Sequence, residues 1–361
     1  MAILGTRGYP SFYGGFETAV RKLAPALADA GWSVSVYGRP GQTRSDDPDL
    51  DPRVRRIVTR GIESKKTSTL TFGLSSAIDA ARRKPDVVIV MNCANGLWLP
   101  LLKLRGIATA VNVDGMEWER AKWGRLARGV FKVGAYFTAR FADVIICDAR
   151  AISDRWREQF GRTSEVIAYG GEPSSPSPSP MELPSGGYVL WVARLVPENT
   201  IEDFLSAALS VADSYPVVIV GSSGYADELD AKVKALAQHP NVTALGHVSD
   251  DTLLHALWAH CGAYFHGHSV GGTNPALVQA MASGAPVVAR DTVFNREVLD
   301  DAAIFVDPTS DAIAAGIHRM MTDAGLASRL AQKAKARAAA HYSWGAICQR
   351  YEEVARSLAN R

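Results

Sequence analysis

The run His266-Gly-His-Ser-Val-Gly-Gly-Thr-Asn-Pro-Ala-Leu-Val-Gln-Ala-Met-Ala-Ser-Gly284 has the composition of an anion site. Asn274 is a good N-cap, Pro275 suits a first helical position and Gly284 suits a C-cap, so a helix of about ten residues is expected from Pro275. A glycine-rich turn after an apolar strand leads into it. That arrangement points backbone donors and the positive end of a helix at a phosphate. His266 and His268 have the spacing of ligands at a strand end. With only Cys261 behind them and no carboxylate nearby, no zinc is expected. A second glycine loop runs from Gly5-Thr-Arg-Gly8 to Tyr13-Gly14-Gly15-Phe16-Glu17, where backbone could approach a ligand closely and a helix starting near Phe16 offers free N–H groups. A tight turn without a ligand is the competing reading. The dinucleotide fingerprint G-x-G-x-x-G is absent, which argues against an NAD enzyme. Among carboxylates, Asp114 ends a strand and precedes Gly115, with Glu117 and Glu119 just beyond. It is expected to contact an acceptor or a donor sugar, against the alternative of a structural N-cap. Asp49-Leu-Asp51 has the form D-x-D but lies in the acidic loop Ser45–Pro52 with no strand before it, and reads as a solvated turn.

Alternating strands and helices must position these groups. Ala2–Gly5, Ser33–Tyr37, Asp86–Met91, Ala108–Val113 and Asp143–Asp148 are Val- and Ile-rich runs suited to a parallel sheet covered on both faces. Phe16–Ala30, closed by Gly31, supplies the helix of a first βαβ unit. Alternating Pro and Ser in Glu172–Pro180 favours extended chain and marks a linker, 171–186. A second series follows, with strands at Gly187–Ala193, Tyr215–Gly221, Val242–Gly246, Gly262–His266 and Ala285–Arg290. Ala312–Leu358 reads as helix, interrupted near Tyr342-Ser343-Trp344. The expected domains are 1–170 and 187–340, with a final helix, 341–361, returning toward the first. In doubly wound sheets ligands bind beyond the carboxyl ends of strands, so the two halves are expected to face a central cleft.

A length of 361 residues favours two domains over one, and 47% hydrophobic with 21% charged residues is the composition of a soluble globular protein. No uncharged apolar run reaches membrane-spanning length, and the N-terminus lacks a signal-peptide pattern. Four scattered cysteines without a CxxC pair suit a reducing compartment, so the expectation is cytoplasmic. The net charge of +2 hides an asymmetry. Residues 1–170 hold 26 Lys and Arg against 17 Asp and Glu, a balance of +9, and the remainder holds 13 against 20, a balance of −7. A basic half points to an anionic partner, either a phosphorylated acceptor or a membrane surface, and no nucleic acid is expected. The helix Arg120–Arg140 mixes Arg120, Lys122, Arg125, Arg128 and Lys132 with Trp123, Leu126, Phe131, Tyr136 and Phe137. That mixture suits an interfacial helix on anionic lipid, or a core-facing helix with a wet basic face.

These motifs resemble a known family. The run ending Ala-Met-Ala-Ser-Gly-Ala-Pro-Val-Val-Ala, the opening Gly14-Gly15-Phe16-Glu17 and Trp191-Val-Ala-Arg-Leu-Val-Pro-Glu198 are similar to the retaining family 4 glycosyltransferases of the two-domain B fold (GT-B). Gly5-Thr-Arg-Gly8, Asn112-Val-Asp-Gly-Met-Glu-Trp118 and His268-Ser-Val-Gly-Gly-Thr-Asn274 resemble its bacterial rhamnosyltransferase branch. The resemblance spans nearly the whole chain, in order. It implies an α/β fold of two Rossmann-like domains. It also implies transfer of rhamnose with retention and without a metal, from a nucleoside-diphosphate sugar such as dTDP-rhamnose to a lipid-linked saccharide in cell-envelope synthesis.

By that resemblance Arg194 neutralises the diphosphate, a task that suits a permanently charged planar guanidinium. Asp114 acts beside it. Gly14 and Gly15 lie against the phosphates or acceptor. The turn His268, Gly271, Gly272, Thr273 and Asn274 holds the donor, the strand end through Gly246 and Val248 flanks the base, and Gln279 binds the ribose. Three positions depart from the family. Its paired glutamates are Gly271 and Gln279 here, its phosphate-binding lysine is Asn199, and the histidine after its fourth strand is replaced by Asp114-Gly115. An epimerase on the same fold and a non-catalytic sugar-nucleotide-binding module are the competing functions.

Overall fold

The computed structural model describes residues 1–11, 14–43, 46–64, 67–119, 124–224 and 228–360. The chain forms two compact units, Met1–Tyr169 with Trp344–Arg361, and Gly170–Ser343.

The first unit is a seven-stranded, all-parallel sheet: β1 (Ala2–Leu4), β2 (Ser35–Gly38), β3 (Arg55–Val58), β4 (Val87–Met91), β5 (Ala108–Asn112), β6 (Val144–Cys147) and β7 (Glu165–Val166), in the order β3-β2-β1-β4-β5-β6-β7. Its helices are α1 (Gly15–Asp29), α2 (Ser68–Arg83), α3 (Leu99–Lys103), α4 (Arg125–Phe141) and α5 (Arg150–Phe160). Every side chain of β4 is buried, as its unbroken Val-Val-Ile-Val-Met run requires of a strand covered on both faces. Each such side chain contributes roughly 1.5–3 kcal/mol of burial. The arginines of the β3 edge, Arg55 and Arg56, are exposed, which is why no apolar pattern announces that strand.

The second unit has six parallel strands: β8 (Val189–Val192), β9 (Val217–Val220), β10 (Val242–Gly246), β11 (Ala263–His266), β12 (Val287–Arg290) and β13 (Ala303–Val306), ordered β10-β9-β8-β11-β12-β13. Its helices are α6 (Ile201–Val211), α7 (Glu228–Leu236), α8 (Asp251–His260), α9 (Pro275–Ser283), α10 (Val293–Leu299), α11 (Ser310–Thr322) and α12 (Ala324–His341). The final helix, α13 (Trp344–Ala359), joins the first unit, where Ile347, Tyr351, Ala355 and Leu358 enter the core with Val20, Leu23 and Leu27. Helical sequence near the C-terminus is thus three helices. The break between α11 and α12 falls at Asp323, whose carboxylate accepts the Leu326 amide at 2.8 Å.

The Pro/Ser-rich stretch is no free tether. Ser174 Oγ donates to Ser283 Oγ at 2.6 Å, His260 Nε2 lies 2.8 Å from the Ser177 carbonyl, and Gly171 N donates to the Tyr342 carbonyl at 2.7 Å. Composition dictated its extended form, but these side-chain anchors hold it within the second unit.

Candidate active site

In both sheets the strand order reverses beside the first strand of the unit, between β1 and β4 and between β8 and β11. Outside the carboxyl ends of such a pair the connecting loops diverge and leave a ligand crevice. In the second unit Arg194 follows β8 and His268 follows β11. A stack beneath them gives a rigid floor. Trp191 of β8, Phe204 of α6 and Phe265 of β11 lie with ring centroids 5.8 and 5.4 Å apart in sequence of contact.

Asn199 joins the two loops. Its Nδ2 donates to the Arg194 carbonyl at 2.8 Å, and its Oδ1 meets His268 Nδ1 at 2.6 Å. Because the amide nitrogen is committed to a carbonyl, Oδ1 must accept, and His268 carries its proton on Nδ1. Thr200 strengthens the same seam: its hydroxyl donates to the Gly267 carbonyl at 2.6 Å and accepts from Arg290 Nη1 at 2.9 Å. Ser269 donates from both N and Oγ to the Glu198 carbonyl, each at 2.9 Å. A Cβ on Gly267 would lie 2.3 Å from the Asn199 carbonyl oxygen, so only glycine allows this approach. The position read from sequence as a lost lysine is therefore a buried clasp. The Arg194 side chain above it is exposed.

The turn into α9 follows its sequence chemistry. Asn274 Oδ1 accepts the Ala276 amide at 2.9 Å, Pro275 stands at the first turn and Gly284 closes the helix at φ 81°. One expectation is narrowed. Pro275 has no N–H and that of Ala276 serves the cap, so the start of the helix presents its dipole more than direct donors. Gly271 (φ 94°), Gly272 and Thr273 are buried in the preceding turn. Gly246 ends β10 at φ 65°, and the half-buried Val248 lies just before the Asp250 cap of α8.

Gln279 departs from its expected role. Its Nε2 donates to the Glu172 carbonyl at 2.7 Å and its Oε1 accepts the Glu172 amide at 3.0 Å. Both ends of the amide are committed to the main chain of the Pro/Ser segment rather than presented to ribose hydroxyls. Sequence spacing along one helix carried no sign of a partner 107 residues away.

His266 is 3% exposed, with Nδ1 3.1 Å from the Tyr264 hydroxyl and Nε2 without a hydrogen-bond partner. Burial pulls its pKa down to about 3. It is a neutral core group whose ring centroid lies 6.1 Å from that of His268. Among the described residues no group of three or more His, Cys, Asp or Glu is placed to hold a metal ion.

Gly14, Gly15 and Asp114 belong to the first unit. Gly14 adopts φ 136° and its carbonyl accepts the Thr18 amide at 3.0 Å, while Gly15 opens α1. Glu17 in the first turn is buried, accepts the Arg7 amide at 3.0 Å, and has its pKa raised by burial. Asp114 follows β5 at φ 60°, half-buried, its amide donating to Asn112 Oδ1 at 3.0 Å. Of its companions, Glu117 is buried, and Glu119 is exposed and paired with Arg155 at 2.5 Å. The D-x-D acids are bound by arginines, Asp49 by Arg21 at 2.7 Å and Asp51 by Arg53 at 2.6 Å. The basic helix is α4, and its outward residues include Leu126, Val133 and Tyr136 as well as Arg125, Lys132 and Arg140. The expected contributions of Tyr13, Ser45, Lys66, Arg120, Lys122 and Trp123 lie outside the described residues.

The sequence of the first unit matches a family model described as "Glycosyl transferase 4-like domain" over residues 14–170, and the second matches "Glycosyl transferases group 1" over residues 183–337. The chain is similar to the phosphatidyl-myo-inositol mannosyltransferase of Mycolicibacterium smegmatis, at 29% identity over 92% of this chain and 88% of the relative. It is also similar to O-antigen chain mannosyltransferase B of Escherichia coli, at 28% identity over 38% of this chain and 37% of the relative. Its match thus spans little more than a third of that protein's length. Sucrose-phosphate synthase from Thermosynechococcus elongatus shares the fold at 20% identity, with a TM-score of 0.81 over 99% of this chain and 98% of that one.

Proposed function

Since the chain belongs to the group 1 glycosyltransferases of the GT-B fold, we propose that it transfers a hexose from a nucleoside diphosphate to a saccharide acceptor, binding the donor diphosphate at the β8/β11 crevice. The observation that carries this reading is the Asn199 clasp, which holds the Arg194 loop and the His268 turn together at the strand-order reversal. There Arg194 and the α9 dipole stabilise charge that develops on the departing diphosphate. Departure of the diphosphate on the face where the acceptor enters accounts for retention, with a phosphate oxygen taking the acceptor proton. Asp114 orients a sugar hydroxyl, and no metal takes part. Gln279 acts by anchoring Glu172 rather than by touching the ribose.

The relatives named above are mannosyltransferases, which favours mannose over the rhamnose expected from sequence. Their names also favour an acceptor carried on a lipid. The outward face of α4, where Leu126 is 84% and Tyr136 is 62% exposed among basic residues, suits binding at an anionic membrane surface. Among the described residues no helix is long and apolar enough to cross a membrane.

A thermal-shift panel of GDP, UDP, dTDP and ADP with their sugars tests the donor assignment, because a ligand raises stability by RT ln(1 + [L]/Kd). One nucleotide should stand out, with its mannose form above dTDP-rhamnose. A uniform absence of shift would remove the donor site.

A further inference from the structure

A pocket in the first unit lies at the carboxyl ends of β1, β2 and β3, lined by Gly5, Thr6, Gly38, Thr59, Gly73 and Arg39. Its hydroxyls are engaged within the protein: Thr6 Oγ1 donates to the Tyr37 carbonyl at 3.2 Å, and Thr59 Oγ1 lies 3.2 Å from Ser76 Oγ. Its guanidinium is not. Arg39 is 8% exposed, and its Nε is buried without a hydrogen-bond partner. Its one carboxylate contact is a long one, Nη1 to Glu63 Oε1 at 3.4 Å, and that side chain is 59% exposed. Phe72 covers the group from one side, with Cζ 5.2 Å from the ring centroid. The backbone fixes the residue's place, since Arg39 N donates to the Arg7 carbonyl at 2.9 Å. Burial lowers the Arg39 pKa, and the nearby charge of Arg7 acts in the same direction. A buried cation is stable only when paired, and a guanidinium fork with an unused N–H matches the two oxygens of a phosphate or carboxylate.

We propose that this pocket receives an oxyanion carried by the acceptor saccharide, a phosphate or a carboxylate, on the guanidinium of Arg39. That the anion belongs to an acceptor rests on the glycosyltransferase reading; that an anion binds here does not. Glycines at Gly5, Gly38 and Gly73 keep the pocket walls low, so a saccharide could bring its charged group down to the strand ends. Glu63, at the mouth, would exchange its long contact for solvent when the anion enters.

The experiment is calorimetric titration of the full chain with glucose 1-phosphate, glucuronate, glucose and inorganic phosphate, in wild type, Arg39→Gln and Arg39→Lys. At least one anionic sugar should bind where glucose does not, and the one that binds identifies a phosphate or a carboxylate as the charged group. Arg39→Gln should weaken that binding at least about tenfold, with Arg39→Lys between, and neither should alter binding of the preferred nucleoside diphosphate. Hydrogen exchange on the wild type gives a second readout: the sugar that binds should slow exchange over residues 59–64 and 68–76. Equal binding by Arg39→Gln, no binding of either anionic sugar to wild type, or slowing confined to the second unit would overturn the proposal. Inorganic phosphate binding without either sugar would mark an adventitious ion only and would also overturn it. Failure of the enzyme reading looks different, as loss of nucleotide binding and transfer with the anion titration intact.

Discussion

Asn199 shows how one neutral side chain can organise a charged site. It gives up the cation that the resemblance assigns to its position and instead donates and accepts at once, a role that lysine cannot fill. Asn199→Ala should therefore leave Arg194 in the chain but unanchored. The expected result is a rise in donor KM of about tenfold or more and a stability loss of roughly 1–3 kcal/mol, the cost of leaving buried partners unmatched. Steady-state kinetics and melting would check both. The neighbouring His266 sets an acid limit. Its pKa is about 3 when folded, below the ordinary value, so the unfolded chain binds the extra proton between about pH 6.5 and 3. Stability then falls as pH drops through that window, by up to roughly 1.4 kcal/mol per pH unit from this site. His266→Phe should flatten the melting-temperature slope over that range, and an unchanged slope would refute the burial argument. At this scale the caps Asn274 and Gly284 were legible because capping is local chemistry. The roles of Gln279 and Asn199 were not, because their partners are set by chain that returns from far away.

At the scale of elements, the strands buried on both faces were readable as continuous apolar runs, and β4, β9 and β11 lie within one or two residues of expectation. The edge strands β3, β7 and β13 were not, since an edge tolerates Arg55, Arg56 and Glu165. Helix packing was also hidden. Gly134 of α4 sits so close to the segment Cys93–Trp98 that a Cβ there would lie 2.6 Å from the Cys93 carbonyl oxygen. Gly134→Ala should therefore cost about 1–3 kcal/mol by overpacking, despite alanine's better helix propensity. A melting temperature unchanged or raised would show that α4 can move outward. If α4 carries the membrane contact, the same variant should alter vesicle binding less than stability, because its outward residues remain in place.

At the scale of the whole molecule, two doubly wound units were expected from length and from the repeated strand–helix pattern, and the structure has them. Sequence also suggested that the last helix returns to the first unit, and α13 completes that unit's core. The link is specific. Tyr351 OH accepts from Asn112 Nδ2 at 2.6 Å, and Asn112 Oδ1 accepts the Asp114 amide at 3.0 Å. Tyr351→Phe would leave a buried amide unpaired and should cost about 1–3 kcal/mol. It should also raise hydrogen exchange at Asp114, which a purely packing role for Tyr351 would not do.

The central claim is that the chain moves a hexose from a nucleoside diphosphate through the β8/β11 crevice. The most direct test is release of nucleoside diphosphate from a panel of GDP-mannose, dTDP-rhamnose and UDP-glucose, with and without lipid-extracted saccharide acceptors, by wild type and Arg194→Ala. The account predicts acceptor-dependent release from one donor, retained in EDTA, and lowered by roughly two or more orders of magnitude in Arg194→Ala, the typical loss of a charge-stabilising group. Donor turnover without diphosphate release, no release with any acceptor, or full release by Arg194→Ala would contradict it.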